Sequence, residues 1–231
     1  MLDHPIFSES IRRIRLLLAE QAAADPARGA ALAGLSPLER DVLERCIHSS
    51  GDVTIAAELR FSTDACAIGA AALAAGAPIL TDTEMAAAAV APMARRTFAN
   101  RVVCVLEQAP ERAPEGSTRT AVGMAAALAE LAAGGAPPPV VLIGSAPTAL
   151  EVLLELVAAK TVPMPALVIG MPVGFVGVAQ SKRHLAASGL AHIRLEGSKG
   201  GAGLVAAACN ALLRSAWLQA ASAPSAPPGS A

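Results

Sequence analysis

Short runs of consecutive apolar residues alternate with longer amphipathic or small-residue stretches along most of the chain. The apolar runs predict strands over residues 78–80, 102–106, 140–143, 166–169 and 192–195. Continuous apolar strands joined by helical crossovers are typical of a parallel sheet that helices cover on both faces. We therefore predict an α/β fold: a three-layer α/β/α sandwich, flavodoxin-like, with about five parallel strands.

The intervening stretches predict helices over residues 12–20, 38–50, 62–76, 119–133, 147–160, 178–188 and 201–215. The signals are clearest for the second of these helices. Ser36 is a suitable N-cap, Pro37 suits the first helical position, and Glu39 completes a capping box. We expect this helix to end before Gly51. Residues 21–34, rich in alanine and interrupted by proline, predict a connection.

Length and composition indicate one domain with a terminal appendage. The chain has 231 residues, of which 54% are hydrophobic and 16% charged, so it can supply a packed core. We predict a single domain over residues 1–217, including an N-terminal helical extension over residues 1–35. Residues 218–231 read as a disordered tail of alanine, serine and proline. Asp3 and Glu9 lie where a signal peptide would carry positive charge, so we expect a cytoplasmic protein with no membrane segment.

Charge and side-chain chemistry argue against several functional classes. The formal net charge is -1 and aromatic residues make up 2%, so neither a basic field nor a stacking platform for nucleic acid is expected. The four cysteines are far apart and fit neither a zinc pattern nor a disulfide framework. We predict buried thiols and no metal site.

Glycine-rich turns follow three of the predicted strands, over residues 144–150, 170–177 and 197–203. Glycine lets a ligand approach the backbone, and a helix N-terminus attracts anions through its free amides. Three such turns on one rim indicate a large ligand with several negative groups. Arg119, Lys182 and Lys199 lie near these turns and could pair with carboxylates. The competing interpretation is that such turns are common in any α/β protein.

His48 is the titratable residue with the most suggestive position, because it lies at the end of a predicted helix and before Gly51. One interpretation is a histidine that complements the helix dipole; the other is a proton donor that exchanges near neutral pH. Residues 201–206 nearly match a dinucleotide fingerprint, which keeps a nucleotide-dependent oxidoreductase as a minor hypothesis. The match lies in the last helix with no further strand, which argues against that hypothesis.

Six blocks of sequence, in order, resemble the precorrin-8X methylmutases of cobalamin biosynthesis. The resemblance runs from about Ile11 to Leu213. The blocks span residues 47–52, 76–85, 118–120, 144–150, 169–177 with 181–182, and 199–201 with 210–212. Together they are far more specific than any single glycine motif.

The resemblance implies an isomerase that moves a methyl group from C-11 to C-12 of precorrin-8X, or of cobalt-precorrin-8, to give hydrogenobyrinate or cobyrinate. It implies a flavodoxin-like homodimer with its active site near the subunit interface, and no cofactor. It also implies that His48 protonates the macrocycle. The substrate contacts that it implies are Ser49, Ser50, Asp82, Thr83, Met85, Thr118, Arg119, Thr120, Ser145, Ala146, Pro147, Thr148, Gly174, Phe175, Val176, Ser181, Lys182, Lys199, Gly200 and Gly201.

The chain departs from the family pattern at a few positions. Glu9 stands where many members have an arginine, which reverses charge near a polyanionic ligand. Residues 86–89 lack the usual glycine, Ser145 replaces an asparagine and Thr120 a serine. These departures motivate an alternative, a non-catalytic tetrapyrrole or corrinoid carrier of the same fold. The intact His48 and Arg119 favour the enzyme.

Overall fold

The computed structural model describes residues 4–222 and contains one mixed, mostly parallel sheet. Six strands follow the order β1-β6-β5-β4-β2-β3. β1 pairs with β6 in the antiparallel sense, and every other neighbouring pair is parallel. The strands are β1 (Leu59–Phe61), β2 (Ile79–Thr81), β3 (Val102–Cys104), β4 (Val140–Ile143), β5 (Leu167–Gly170) and β6 (His192–Leu195).

Each of the five predicted runs overlaps a strand, but the prediction of about five parallel strands omits β1. This strand has only three residues, Leu59, Arg60 and Phe61, and β6 is its one partner in the sheet. Only Leu59 is buried. An antiparallel edge strand needs no continuous apolar run, and for that reason the pattern used to find the others does not reveal it.

Helices connect the strands and cover the sheet. They are α1 (Pro5–Ala24), α2 (Pro26–Ala33), α3 (Pro37–Ser50), α4 (Ala65–Ala74), α5 (Glu84–Arg96), α6 (Arg119–Ala133), α7 (Pro147–Ala158), α8 (Val178–Ala187) and α9 (Ala202–Ser222). The predicted connection over residues 21–34 is wrong, because α1 runs into it and α2 fills most of it. α5 is also absent from the prediction; Pro92 lies inside it.

Two helix boundaries follow the expected chemistry closely. Ser36 Oγ accepts the backbone N–H of Glu39 at 3.3 Å, while Glu39 Oε2 accepts that of Ser36 at 2.8 Å, which confirms the capping box. α3 ends at Ser50, and Gly51 follows in the left-handed conformation with φ 68°. The last turn of α3, which carries His48, is therefore placed by signals readable in the sequence.

Alternating strand residues bury two separate cores, as a three-layer arrangement requires. Ile79 and Leu142 face a cluster with α3, α4, α5 and α9, whereas Leu80 and Val141 face a cluster with α6, α7 and α8. The five parallel strands, counted among themselves, have the order 2-1-3-4-5. The direction of strand addition reverses at β2, so the crevice beyond β2 and β4 is a topological switch point.

The C-terminal boundary differs from the prediction. α9 continues to Ser222, so residues 218–222, predicted as the start of a tail, are helical. The rest of the predicted tail lies outside the described residues. Within residues 4–222, no helix is both long enough and apolar enough to cross a membrane.

Candidate active site

The three glycine-rich turns lie side by side at the carboxyl ends of the parallel strands. The backbone N–H of Val173 donates to the carbonyl of Gly144 at 3.1 Å, and that of Gly174 donates to Ser198 at 3.0 Å. The turn after β5 thus joins the turns after β4 and β6. The prediction that these turns share one rim is confirmed.

Asp82 bridges the switch point between β2 and β4. Its Oδ2 accepts the backbone N–H groups of Ser145 at 2.6 Å and Ala146 at 2.9 Å, and the side chain is fully buried. Burial raises the pKa of this carboxyl, while the backbone hydrogen bonds oppose the shift. An internal carboxylate therefore already accepts these two amides of the turn after β4. Pro147 follows as the first residue of α7.

His48 is exposed on the last turn of α3, beside the start of α9. The neighbouring Ser49 Oγ donates to the carbonyl of Gly203 at 3.4 Å. Helix α1 reaches the imidazole from the other side: Ser10 Oγ lies 2.7 Å from Nδ1, and the Phe7 ring meets the imidazole edge-on with centroids 5.0 Å apart. His48 therefore lies where α1, α3 and the third turn meet.

A cavity of about 410 Å³ opens beside His48 between α3, α5 and α9. Its wall includes His48, Ser49, Gly203 and Asn210. Asn210 Nδ2 donates to the carbonyl of Ala89 at 3.2 Å, which ties α9 to α5 across the cavity. The volume lies within the range of about 300–1,000 Å³ that is usual for small-molecule sites.

Lys199 is half-exposed and paired within the chain. Its Nζ donates to Asp52 Oδ2 at 2.9 Å and Thr54 Oγ1 at 2.6 Å, and lies 3.5 Å from Glu58. The hydrogen bonds from Thr54 and Lys199 lower the pKa of Asp52 to about 2. Any contact of this ammonium with a substrate carboxylate competes with these partners.

Lys182 is almost fully buried and holds the same turn from inside. Its Nζ donates to the carbonyls of Gly197 at 2.9 Å and Lys199 at 2.6 Å. Burial lowers its pKa to about 8. The structure thus gives Lys182 backbone partners in the turn over residues 197–203, which sequence spacing did not predict.

Three predicted contacts form a hydroxyl cluster that joins α6 to α7. Thr118 Oγ1 lies 2.7 Å from Thr148 Oγ1 and 3.1 Å from Thr120 Oγ1. Thr118 also caps α6, whose first residue is Arg119. The Arg119 side chain is exposed and donates from Nε to the carbonyl of Pro110 at 2.9 Å.

The remaining predicted contacts are exposed apolar residues, hydroxyls that form hydrogen bonds within the chain, and two glycines of the third turn. Met85, Phe175 and Val176 are 66%, 95% and 88% exposed. Ser50 and Ser181 donate their hydroxyls to carbonyls of their own helices at 3.0 and 2.9 Å. Thr83 accepts a backbone N–H from the first turn of α5 at 3.4 Å, and Gly200 and Gly201 lie in the third turn.

Glu9 does not stand as an isolated negative charge. Its carboxylate accepts hydrogen bonds from Arg12 and Arg13, each at 2.8 Å. These bonds lower the pKa of Glu9 to about 2. The two arginines therefore offset the reversed charge at Glu9. Their i,i+3 and i,i+4 spacing from Glu9 is visible in the sequence.

The sequence reasoning missed the partners of His48 in α1, Phe7 and Ser10. No spacing signal connects them, since Ser10 and His48 are 38 positions apart. Two larger clefts, about 630 and 600 Å³, lie around α1–α3 and contain none of the predicted site residues. All four cysteines are buried as predicted, and residues 4–222 contain no group of three or more potential metal-ligating His, Cys, Asp or Glu side chains.

Comparisons with known proteins agree with the six sequence blocks. The family model of the precorrin-8X methylmutases matches residues 5–215. A precorrin-8X methylmutase from Pseudomonas aeruginosa is 46% identical over 186 residues, covering 78% of this chain and 86% of that protein. A cobalt-precorrin-8 methylmutase from Synechocystis is 35% identical over 230 residues, covering 94% of this chain and 97% of its own.

A solved structure shows the same relationship in three dimensions. The precorrin-8X methylmutase of Thermus thermophilus superposes with a TM-score of 0.74 at 38% identity, covering 93% of this chain and 96% of that one. Sequence, fold and family model therefore agree over nearly the whole chain. The chain belongs to the precorrin-8X methylmutase family, the intramolecular methyl-transferring isomerases of cobalamin biosynthesis.

Proposed function

We propose that this chain moves the methyl group of precorrin-8X, or of cobalt-precorrin-8, from C-11 to C-12, with His48 as the proton donor. The observation that carries this role is the position of His48: its exposed imidazole lines the 410 Å³ cavity, whose wall also includes Gly203 at the start of α9. A flavodoxin-like sheet binds ligands beyond the carboxyl ends of its strands, which supports this placement.

The chemistry needs little beyond shape and one proton. An imidazolium at Nε2 gives its proton to the macrocycle and keeps the electron pair of the broken N–H bond. Because the reaction is an isomerisation, the macrocycle loses one proton for each that it gains, and His48 returns to its starting state. Histidine suits this exchange because its ordinary pKa of about 6.5 lies near neutrality. Holding the ring in the reactive shape supplies the rest of the acceleration.

The acetate and propionate groups of the substrate require cationic or N–H partners. Arg119 is a candidate, since its guanidinium is exposed and the Nε bond to Pro110 orients it. The hydroxyl cluster of Thr118, Thr120 and Thr148 supplies neutral donors beside it. Lys182 supports the site through the carbonyls of the third turn, with no direct ligand contact assigned to it.

We also propose that the chain works as a homodimer in which a second copy covers the turn after β5. Phe175 and Val176 project from this turn almost fully exposed, and an apolar pair of this kind at a rim favours burial against a partner. Light scattering of the Phe175→Ser variant tests the proposal. We expect weaker dimerisation than in the wild type, and a wild-type mass equal to one chain contradicts it.

The decisive test is incubation of the purified protein with precorrin-8X while the visible absorption spectrum is recorded. We expect conversion by the wild type and loss of turnover in His48→Ala. His184→Gln is the matched control, since His184 is half-exposed and pairs with Glu151 at 2.9 Å on α7. Retained turnover in His48→Ala overturns the role of His48. A wild-type spectrum that shows binding without conversion supports the carrier alternative.

A further inference from the structure

The first turns of helix α1 pack against the imidazole of His48. Ser10 Oγ lies 2.7 Å from His48 Nδ1. The Phe7 ring packs against the imidazole with centroids 5.0 Å apart and planes at 85°. The Arg45 guanidinium lies over the Phe7 ring, 4.4 Å from its centroid. The N-terminal helix therefore contacts the imidazole at two places, at Nδ1 through Ser10 and at the ring through Phe7.

The contact at Nδ1 decides which nitrogen can face a ligand. In neutral histidine one ring nitrogen donates and the other accepts, and the hydrogen bond at one of them selects the tautomer. A Ser10 hydroxyl that accepts from Nδ1–H keeps a proton on Nδ1 in both charge states. Nε2 is then the nitrogen that exchanges its proton with a ligand in the cavity that His48 lines.

We propose that Ser10 is a positioning residue for the methylmutase reaction: its hydrogen bond at Nδ1 orients the imidazole of His48 and selects the Nδ1–H tautomer. The inference rests on the proposed role of His48 as the proton donor. In the donor step the Nε2–H bond breaks, its electron pair stays on Nε2, and the Nδ1–H···Oγ bond persists.

The structure separates this role from the attachment of α1 to the domain. α1 is anchored by its buried residues Ile14 and Leu18. The Arg15 guanidinium also donates to the buried Glu44 carboxylate at 2.7 and 2.8 Å. These contacts lie one or more turns beyond Ser10. Removal of the Ser10 hydroxyl, which is half-buried, therefore leaves the anchoring of the helix in place.

The test compares Ser10→Ala and Ser10→Thr, with Ser8→Ala as the matched control. Ser8 is an exposed serine of the same helix turn. We expect Ser10→Ala to lower kcat about three- to tenfold, which corresponds to one hydrogen bond. KM should change little, and Ser10→Thr should restore activity. Nitrogen–proton correlation spectra should show the Nδ1–H tautomer in the wild type and less of it in Ser10→Ala.

Three outcomes overturn the inference. The first is an Nε2–H tautomer in the wild type. The second is a Ser10→Ala protein whose kcat and tautomer match those of Ser8→Ala. The third is a kcat that falls together with the unfolding midpoint while the tautomer is unchanged, because Ser10 is then structural. The tautomer is measured in the absence of substrate. The spectra therefore test the hydrogen bond between Ser10 and His48 even if His48→Ala retains turnover and the proposed function fails.

Discussion

Replacing Gly200 by alanine should disrupt the rim where the turns after β5 and β6 touch. A Cβ atom at Gly200 would overlap the carbonyl oxygen of Met171, and it would lie 2.7 Å from the carbonyl carbon and 2.8 Å from the oxygen of Pro172. All three neighbours are backbone atoms, so no side-chain rotation relieves the contact. The two turns must move apart by more than about 1 Å to reach ordinary contact distances.

That movement has a calculable cost. It breaks the bond from Gly201 N–H to Met171 at 2.9 Å and the bond from Gly174 N–H to Ser198 at 3.0 Å. Two such bonds contribute about 1–3 kcal/mol together, and overpacking costs about 1–3 kcal/mol. We expect a loss of about 2–6 kcal/mol, or about 4–24 °C in Tm for a domain of this size. Misplacement of the rim by this distance should lower turnover up to about a hundredfold.

Urea unfolding and the precorrin-8X absorption assay measure the two effects. Gly34→Ala is the matched control, because a Cβ there meets only backbone oxygens 3.6 Å away. We expect this control to unfold within about 0.5 kcal/mol of the wild type. A Gly200→Ala protein with the stability of Gly34→Ala and full turnover would refute the argument from close backbone approach.

Other regions of the structure yield further expectations. Lys182→Met leaves two turn carbonyls without their donor, so turnover should fall in the absorption assay. The pKa of Lys182 in the folded protein, about 8, lies below the ordinary 10.5. The unfolding free energy of the wild type should therefore rise relative to that of this variant from pH 8 to 10.5. The hydrogen bonds from Thr54 and Lys199 to Asp52 should stabilise the fold above about pH 4 and lose their effect as the pH falls toward 2. Urea titrations of Lys199→Ala should show a smaller loss, because the Thr54 bonds remain. Gly123→Ala places a Cβ onto the Val105 carbonyl and should lower Tm without removing any group from the cavity.

Several features could be predicted from local sequence because their causes are local. The capping box of Ser36 and Glu39, the end of α3 at Gly51 and the strand Val140–Ile143 all depend on residues within a few positions of one another. The rim of three turns follows from a general property of parallel sheets, whose carboxyl ends lie on one edge. The family blocks then identified His48 as the residue to examine.

Other features depend on contacts between distant segments. β1 forms because β6 offers it an edge for pairing. The pattern of apolar residues does not reveal β1, because Arg60 at its centre interrupts any apolar run. The burial of Lys182 and its two carbonyl partners depends on where α8 packs beneath the third turn. Asp82 has polar neighbours in its own segment, yet its hydrogen-bond partners lie 63 and 64 positions away.

The α/β class, the positions of most strands and helices, and the family of the chain could all be predicted from the amino-acid sequence. They could be predicted because apolar periodicity, caps and motif blocks are properties of short segments. The folded arrangement was needed to show which amides bond to Asp82, which carbonyls accept from Lys182, and that Ser10 lies against His48. Those relations join residues that are far apart in the chain, and packing, which local propensity does not encode, brings them within hydrogen-bond distance.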